Sequence, residues 1–182
     1  MLLIEKRIID PLNFKEWDSL VISFKEHTAF HSSCWLKVLK EAYRYNIFAV
    51  LLYQENICVA VLPVVTVHSF ITGKRGVSIS FSDFAFPLSN GNTELVEIAC
   101  GKILDIGRED GWKYFELRGA ALLQGFEPYD VYYHHHIDLR RSERELLESA
   151  SSSKRRNVKK SKRNGINVVF TESFDSMKSF YK

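Results

Sequence analysis

The stretch NTELVEIACGKILDIGREDGWKYFEL, residues 92–117, predicts the fold class of this chain. Asn92 or Thr93 can cap a helix at its start, and Gly111 can end it in the left-handed conformation. The apolar face of that helix consists of Leu95, Ile98, Ala99, Ile103 and Ile106. Residues 112–117 then form a predicted strand. A helix that leads directly into a strand is typical of an α/β unit.

The sequence before this unit predicts a sheet rich in hairpins. The predicted strands cover residues 2–9, 47–53, 57–67 and 76–81. Only the turn-forming residues 54–56 separate the second strand from the third, so these two are expected to form a hairpin. Together with the α/β unit, this pattern predicts a mixed α/β sheet rather than an all-helical or all-β domain.

Two amphipathic helices are predicted between the first two strands. One opens at Asp10-Pro11, since proline is tolerated in the first turn of a helix. Its apolar stripe consists of Phe14, Trp17, Leu20, Val21 and Phe24. The other helix is capped by Ser32 or Ser33 and carries Lys37 and Lys40 at the edge of its apolar face.

The end of the chain predicts a second set of elements. Residues 131–139 and 166–170 are predicted strands, the pair Ser142 and Glu145 forms a capping box, and a further helix begins near Ser173. We expect one domain in residues 1–150. Residues 151–182 are expected to hold a basic helix and the beginning of a second domain, as in the N-terminal portion of a longer protein.

Composition limits the class of protein. The chain has 182 residues, is 46% hydrophobic and carries a formal net charge of only +3, so it can bury a core and is not a pervasively basic nucleic-acid coat. Its three cysteines, Cys34, Cys58 and Cys100, have no paired spacing, which favours a reducing compartment. Charge begins at residue 5 and no run of 18 apolar residues occurs. We expect a cytoplasmic protein without a transmembrane segment.

The most strongly charged segment is the run KRRNVKKSKR, residues 154–163, with seven basic and no acidic side chains. Three serines precede the run and Gly165 follows it, which predicts a helix of about three turns. Val158 is its only large apolar residue. Two interpretations remain open: a solvated helix face, or a surface that binds a phosphate-bearing partner.

Several short motifs occur in an order that resembles a known family. They are FHSSCWLKVL (30–39), AVLPV (60–64), FITG (70–73), SFSDF (80–84), FELR (115–118), IDL (137–139), KRRNVKK (154–160) and GINV (165–168). In this order they resemble the FemAB-type aminoacyltransferases of peptidoglycan biosynthesis and their acetyltransferase-like relatives. That family carries two domains of the GNAT acyltransferase fold in tandem. The resemblance implies that this chain supplies the first domain and the start of the second, and that a C-terminal domain is missing.

The resemblance also implies a function. Well-known members transfer amino acids from aminoacyl-tRNA to a cell-wall precursor, so we expect a cytoplasmic acyl- or aminoacyltransferase for cell wall biogenesis, inactive as this fragment alone. The chain would be the half that binds a phosphate-bearing acceptor, with aminoacyl-tRNA or acyl-CoA as donor. The substrate-binding residues that the resemblance indicates are Lys37, Lys40, Arg155, Arg156 and Lys159. It identifies no catalytic residue and no cofactor.

A second class of function stays open, namely a non-enzymatic RNA- or phosphate-binding module that uses helix 152–164. The acetyl-CoA pyrophosphate loop Arg/Gln-x-x-Gly-x-Gly/Ala is absent, since neither residues 73–76 nor residues 118–120 match its spacing. This disfavours a simple acetyltransferase. For single-stranded RNA, the tyrosines near the basic helix, at positions 129, 132 and 133, are candidate stacking residues.

The other reactive side chains give weaker signals. His134 and His136 would share one face of a strand, but no third ligand stands at a suitable spacing, so we predict no metal site. Cys34, near His31, is either a nucleophile or a packed thiol, and a packed thiol is the more common case. Glu116 and Arg118 either pair with each other or leave Arg118 facing a cleft. Asp83 is interpreted as a loop cap.

Overall fold

The computed structural model describes residues 3–82, 85–119, 123–133 and 135–181. The chain divides into two compact units, Met1–Asp130 and Val131–Lys182. This division falls before the boundary expected after residue 150. The assignment of the C-terminal residues to a second acyltransferase-like domain remains a prediction.

The first unit is built on a mixed five-stranded sheet. Its strands are β1 (Glu5–Ile9), β2 (Asn46–Gln54), β3 (Ile57–Ser69), β4 (Gly73–Val77) and β5 (Phe115–Glu116), in the spatial order β1-β2-β3-β4-β5. Strands β1 to β4 pair with one another in antiparallel order, and β5 pairs parallel to β4. The predicted mixed α/β class and the β2–β3 hairpin are confirmed.

Helices cover both faces of this sheet. They are α1 (Trp17–Ile22), a 3-10 turn (Ala29–His31), α2 (Ser33–Tyr43) and α3 (Thr93–Glu109), the crossover between β4 and β5. Because successive strand side chains point to opposite faces, β2 contributes Ala49 and Leu51 to the core under α1 and α2. It contributes Val50 and Leu52 to the core under α3. Full burial of a valine or leucine side chain such as these stabilises the fold by about 1.5–3 kcal/mol.

The start of the first helix differs from the prediction. Asp10 does not begin a helix, because its carboxylate accepts a hydrogen bond from the main-chain N–H of Leu12 (2.9 Å) and forms a local turn. Helix α1 begins only at Trp17, whereas α2 begins after the predicted cap Ser32, whose Oγ accepts from Trp35 N. The amphipathic stripe is correct, since Trp17, Val21 and Phe24 are buried.

The strand predicted at residues 76–81 is wrong in its second half, because β4 ends at Val77. The physical reason lies in β3. Alternate residues of β3 direct their N–H groups towards the β4 side, as Val61 shows by donating to Leu88 O (2.8 Å). Pro63 is one of these alternate residues, and the β3–β4 register would place it opposite Ile79. Because proline has no N–H group, the carbonyl oxygen of Ile79 would have no hydrogen-bond donor in β3. The chain therefore leaves the sheet after Val77.

The strand predicted at residues 112–117 is also shorter than expected. Gly111 has φ +69° and ends α3, while Trp112 N donates to Gly107 O (2.8 Å) in a Schellman motif. The Trp112 ring then packs so closely over Gly76 of β4 that an added Cβ would overlap it. Phe115 and Glu116 are the residues of this segment that pair with β4.

The second unit contains helices α4 (Glu143–Ser149), α5 (Ser152–Arg163) and α6 (Phe174–Phe180). The predicted capping box of α4 is present, with Ser142 N donating to Glu145 Oε2 (2.8 Å). Helix α5 ends at Gly165 (φ +70°) in a second Schellman motif. The helix predicted near Ser173 is observed as α6.

The two strands predicted in this unit are wrong. Among the described residues of 131–139 and in 166–170 the backbone forms no ladder, and large apolar side chains such as Val168 and Phe170 stay exposed. An apolar run needs a partner strand to become part of a sheet. In the described parts of both units, no helix is long and apolar enough to cross a membrane.

Candidate functional site

The parallel strands β4 and β5 separate soon after they meet. They pair through Gly76 with Phe115 and Val77 with Glu116. Ser78 N then donates to Glu116 O (2.9 Å), and beyond this bond no main-chain hydrogen bond joins the two strands within the described residues. The next link uses a side chain, since Arg118 N donates to Ser78 Oγ (2.9 Å). The carboxyl ends of the pair are therefore open, and ligands of open α/β sheets bind at such ends.

Arg118 holds the two open ends in place. Its Nε donates to Glu116 Oε1 (2.6 Å), so these residues do pair. Its Nη1 donates to Ser82 O (3.0 Å) in the turn that follows β4. The guanidinium thus connects β5 with this turn while about a third of the side chain stays exposed. Arg118 is a positioning residue at this end of the sheet.

Ser80 is the unusual polar residue of this turn. Its side chain is buried, with 7% of the residue exposed, and its Oγ has no hydrogen-bond partner among the described residues. Nor does its main-chain N–H donate a hydrogen bond in that part of the chain. Burial of a hydroxyl without a partner costs free energy, so such a group in a native fold requires a reason. A bound polar ligand would supply the missing partner only after the turn moves, because the Oγ has almost no solvent-accessible surface in this structure.

The predicted residues Lys37 and Lys40 lie together on α2. They line a shallow depression of about 370 Å³ with Leu12, Ser33, Cys34 and Glu41. Each lysine has a carboxylate nearby: Lys40 Nζ lies 3.2 Å from Asp10 Oδ2, and Lys37 Nζ lies 3.8 Å from Glu41 Oε1. Exposed pairs of this kind contribute little to stability, so either lysine can exchange its carboxylate for a phosphate.

The structure excludes a Cys34–His31 nucleophile pair. His31 is buried, and its Nδ1 accepts a hydrogen bond from Thr28 N (3.1 Å). Its Nε2 lies 3.0 Å from Phe86 O, which fixes the neutral tautomer that carries its proton on Nε2. Burial lowers the pKa of His31 to about 4. Both ring nitrogens are thus occupied by structural contacts. Cys34 is exposed, so the packed-thiol interpretation is also wrong.

The basic side chains of α5 divide into two groups. Arg155 Nη1 donates to the carbonyl oxygens of Glu148 (2.7 Å) and Ala150 (2.9 Å), which satisfies acceptors at the end of α4. Lys162 Nζ lies 3.6 Å from Glu143 Oε1 at the start of α4. These two residues therefore fasten α5 to α4.

The remaining predicted residues of α5, Arg156 and Lys159, lie on a different stripe, which also includes Lys160 and Arg163. Arg156, Lys159, Lys160 and Arg163 follow a spacing of i, i+3, i+4 and i+7, which places them along one side of the helix. None of the four forms an ion pair within the described residues. Arg156 and Lys159 thus keep the exposed charge that the sequence analysis expected, whereas Arg155 has a structural contact.

No group of three potential metal ligands occurs among the described histidines, cysteines and carboxylates. His136 is exposed. His134 and Asp83 lie outside the described residues, so neither the histidine pair nor the loop cap is tested.

No family model matches this chain, and no curated protein matches it. Solved acetyltransferase structures do align with it. One is a ribosomal-protein-alanine N-acetyltransferase from Brucella melitensis biovar Abortus, with 10% identity over 72% of this chain and 100% of that chain and a TM-score of 0.46. A second is an aminoglycoside acetyltransferase from an uncultured soil sample, with 11% identity over 75% of this chain and 100% of that chain and a TM-score of 0.49. A third is a GNAT family acetyltransferase from Staphylococcus aureus, with 14% identity over 75% of this chain and 100% of that chain and a TM-score of 0.48.

The sequence analysis missed Ser78 and Ser80. The alternation of serine with apolar residues over positions 77–81 indicated a strand, so these serines were not treated as site residues. The signal that could have found them is Pro63, because a proline inside a central strand predicts an interrupted ladder on one side.

Proposed function

We propose that this chain is an acyltransferase of the GNAT type, which transfers an acyl or aminoacyl group from an activated ester or thioester to an amine. The observation that supports it most is the open carboxyl end of β4 and β5, with the unpartnered N–H and Oγ of Ser80 beside it. Acyl transfer from an activated donor requires positioning and hydrogen-bond donors for the developing oxyanion. The N–H and Oγ of Ser80 form no hydrogen bond within the described residues, so they are suited to this role.

The proposed donor is acyl-CoA or aminoacyl-tRNA. Either donor presents a carbonyl carbon attached to a leaving group, sulfur in the thioester and oxygen in the ester. The amine of the acceptor forms the new bond to that carbon, the bond to the leaving group breaks, and the amine proton passes to solvent or to the leaving group. In this proposal Arg118 holds the strand ends in place, and Ser80 donates a hydrogen bond to the acyl-donor substrate.

The proposed acceptor carries phosphate, as a nucleotide-linked cell-wall precursor of FemAB-type enzymes does. Arg156 and Lys159 are the proposed phosphate contacts in the second unit, because they are exposed cations without acidic partners among the described residues. Lys37 and Lys40 are separate candidate contacts in the first unit. We assign Arg155 mainly to the α4–α5 connection.

A second candidate function is a non-enzymatic RNA- or phosphate-binding module. One observation favours it: residues 131–182 contain twelve basic and six acidic residues, whereas residues 1–130 contain thirteen basic and sixteen acidic ones. An excess of positive charge on one unit attracts polyanions independently of any chemistry in the other.

The experiment that tests acyl transfer compares two buried serines of the same turn. Ser80→Ala removes an unpartnered hydroxyl, so we expect unchanged or slightly higher stability and weaker binding of acetyl-CoA or of a stable aminoacyl-tRNA analogue, by about five- to tenfold. Ser82→Ala is the matched control: its Oγ donates to Ile79 O (2.8 Å), so its loss should cost about 1 kcal/mol of stability.

Two outcomes would contradict the proposal. One is donor binding that is equal in the parent and in Ser80→Ala. The other is a parent that binds neither donor but binds RNA, with the RNA affinity lost in an Arg156→Ala/Lys159→Ala variant. The second result would establish the binding module instead.

A further inference from the structure

Three aromatic rings of the first unit stack on one another at its surface. We call Tyr43, Tyr45 and Phe81 the aromatic platform. The ring centroids of Tyr43 and Phe81 are 4.5 Å apart with an interplanar angle of 29°, and those of Tyr43 and Tyr45 are 5.5 Å apart at 21°. Tyr43 is 48% exposed and Phe81 is 52% exposed. The platform thus offers solvent-exposed, nearly parallel rings to which a further planar group can be added.

The backbone keeps Phe81 in this position at an energetic cost. Phe81 has φ +55°, a conformation that is strained for a bulky residue by about 1–2 kcal/mol. The turn is held from both sides, because Ser82 Oγ donates to Ile79 O and Arg118 Nη1 donates to Ser82 O. Strain that the surroundings maintain is typical of functional positions. The buried, unpartnered Oγ of Ser80 directly precedes the strained residue.

A cation accompanies the platform. Arg44, between Tyr43 and Tyr45 in the sequence, ends α2 in the left-handed conformation with φ +56°. Its side chain is exposed and makes no ion pair or hydrogen bond within the described residues. Arg44 is adjacent in sequence to two rings of the platform, and stacked rings together with a guanidinium are the combination that binds a base and its phosphate.

We propose that the aromatic platform and Arg44 form a nucleotide-binding site, in which the base stacks on an exposed outer face of the platform and the phosphate contacts Arg44. A flexible acyl chain would bind in a concave apolar pocket rather than on flat exposed rings. The nucleotide can belong to an adenine-containing donor such as acyl-CoA or to a nucleotide-linked acceptor. The site goes beyond the proposed acyl transfer and is tested without it, because free nucleotides carry no acyl group.

The test measures binding of AMP, UMP and ribose 5-phosphate to the full chain by calorimetric titration and by NMR of the aromatic ring protons. Both nucleotides should bind at least about fivefold more tightly than ribose 5-phosphate, since stacking of a base on aromatic rings supplies that factor or more. Tighter binding of AMP would indicate the adenine-containing donor, tighter binding of UMP would indicate a pyrimidine-linked acceptor, and either preference supports the site.

Phe81→Gly is the decisive variant. Glycine adopts positive φ without strain, so we expect the melting temperature to stay equal or rise while nucleotide affinity falls about tenfold. Arg44→Gln should reduce the affinity for all three ligands. Phe70→Ala is the matched control, because Phe70 is a fully exposed phenylalanine of the β3–β4 turn and should change neither property.

Two results would overturn the proposal. One is equal affinity for the nucleotides and ribose 5-phosphate, and the other is unchanged nucleotide affinity in Phe81→Gly. If Phe81→Gly does not fold, Tyr43→Leu provides the second variant, and unchanged nucleotide affinity in it would again overturn the site.

Discussion

His31 should make the stability of this protein depend on pH. The imidazole is neutral mainly because burial disfavours its charged form, and its Nδ1 accepts a hydrogen bond from Thr28 N. Burial lowers its folded-state pKa to about 4 from an ordinary value of 6.5. In the unfolded chain the same group binds a proton below about pH 6.5. Acidification therefore favours unfolding, and the contribution of His31 is complete above pH 6.5 and falls as the pH approaches 4.

The size of this effect follows from the two pKa values. A difference of one pKa unit corresponds to 1.36 kcal/mol. Between pH 7 and pH 5 the unfolded state gains most of one proton while the folded state gains little, so the free energy of unfolding should fall by about 2 kcal/mol. For a domain of this kind, that is a substantial fraction of the total stability.

Urea unfolding at pH 7 and pH 5, followed by circular dichroism, measures the loss. We expect His31→Gln to be less stable at pH 7 but to lose about 2 kcal/mol less than the parent on acidification. His68→Gln, which removes an exposed histidine of β3, should keep the parent's pH dependence. A parent and a His31→Gln variant with the same loss between pH 7 and pH 5 would refute the reasoning.

The remaining predictions concern packing and the basic helix. Gly76→Ala should lower stability by about 1–3 kcal/mol, because the added Cβ overlaps the Trp112 ring. Gly101→Ala places its Cβ in open space and should instead raise stability by about 0.5–1 kcal/mol. Thermal unfolding of the two variants measures both changes. Arg155→Ala should speed hydrogen exchange at the end of α4, whereas Arg156→Ala should leave exchange unchanged and weaken pyrophosphate binding in a salt-dependent way. Equal exchange rates in both variants would contradict the structural role of Arg155.

The elements that the sequence predicted well are those with local signals. The capping box at Ser142 and Glu145 and the serine caps of α2, α5 and α6 depend on a few neighbouring residues, and all are present. The helical spacing in α3 and the short turn of the β2–β3 hairpin are equally local.

Apart from the local turn at Asp10, the failures arose where distant residues decide the structure. Residues 166–170 have a strand-like composition, but a strand requires a partner, and the sequence of one segment does not show whether a partner exists. Likewise, Ser78–Phe81 continue the alternation of β4, yet Pro63 on another strand stops the ladder. The role of Arg155 depends on the carbonyls of α4, which no local pattern indicates. The open strand ends and the buried hydroxyl of Ser80 are consequences of packing and not of any motif.

The weak attachment of β5 has a dynamic consequence. β2 and β3 pair over most of their length, whereas β5 pairs with the sheet at only two residue positions. Main-chain bonds from Lys113, Gly76 and Ser78 and the side chains of Ser78 and Arg118 supplement this short ladder. Local opening of a structure begins where few bonds must break, so β5 and the turn after β4 should fluctuate as one cooperative unit while the hairpin stays closed.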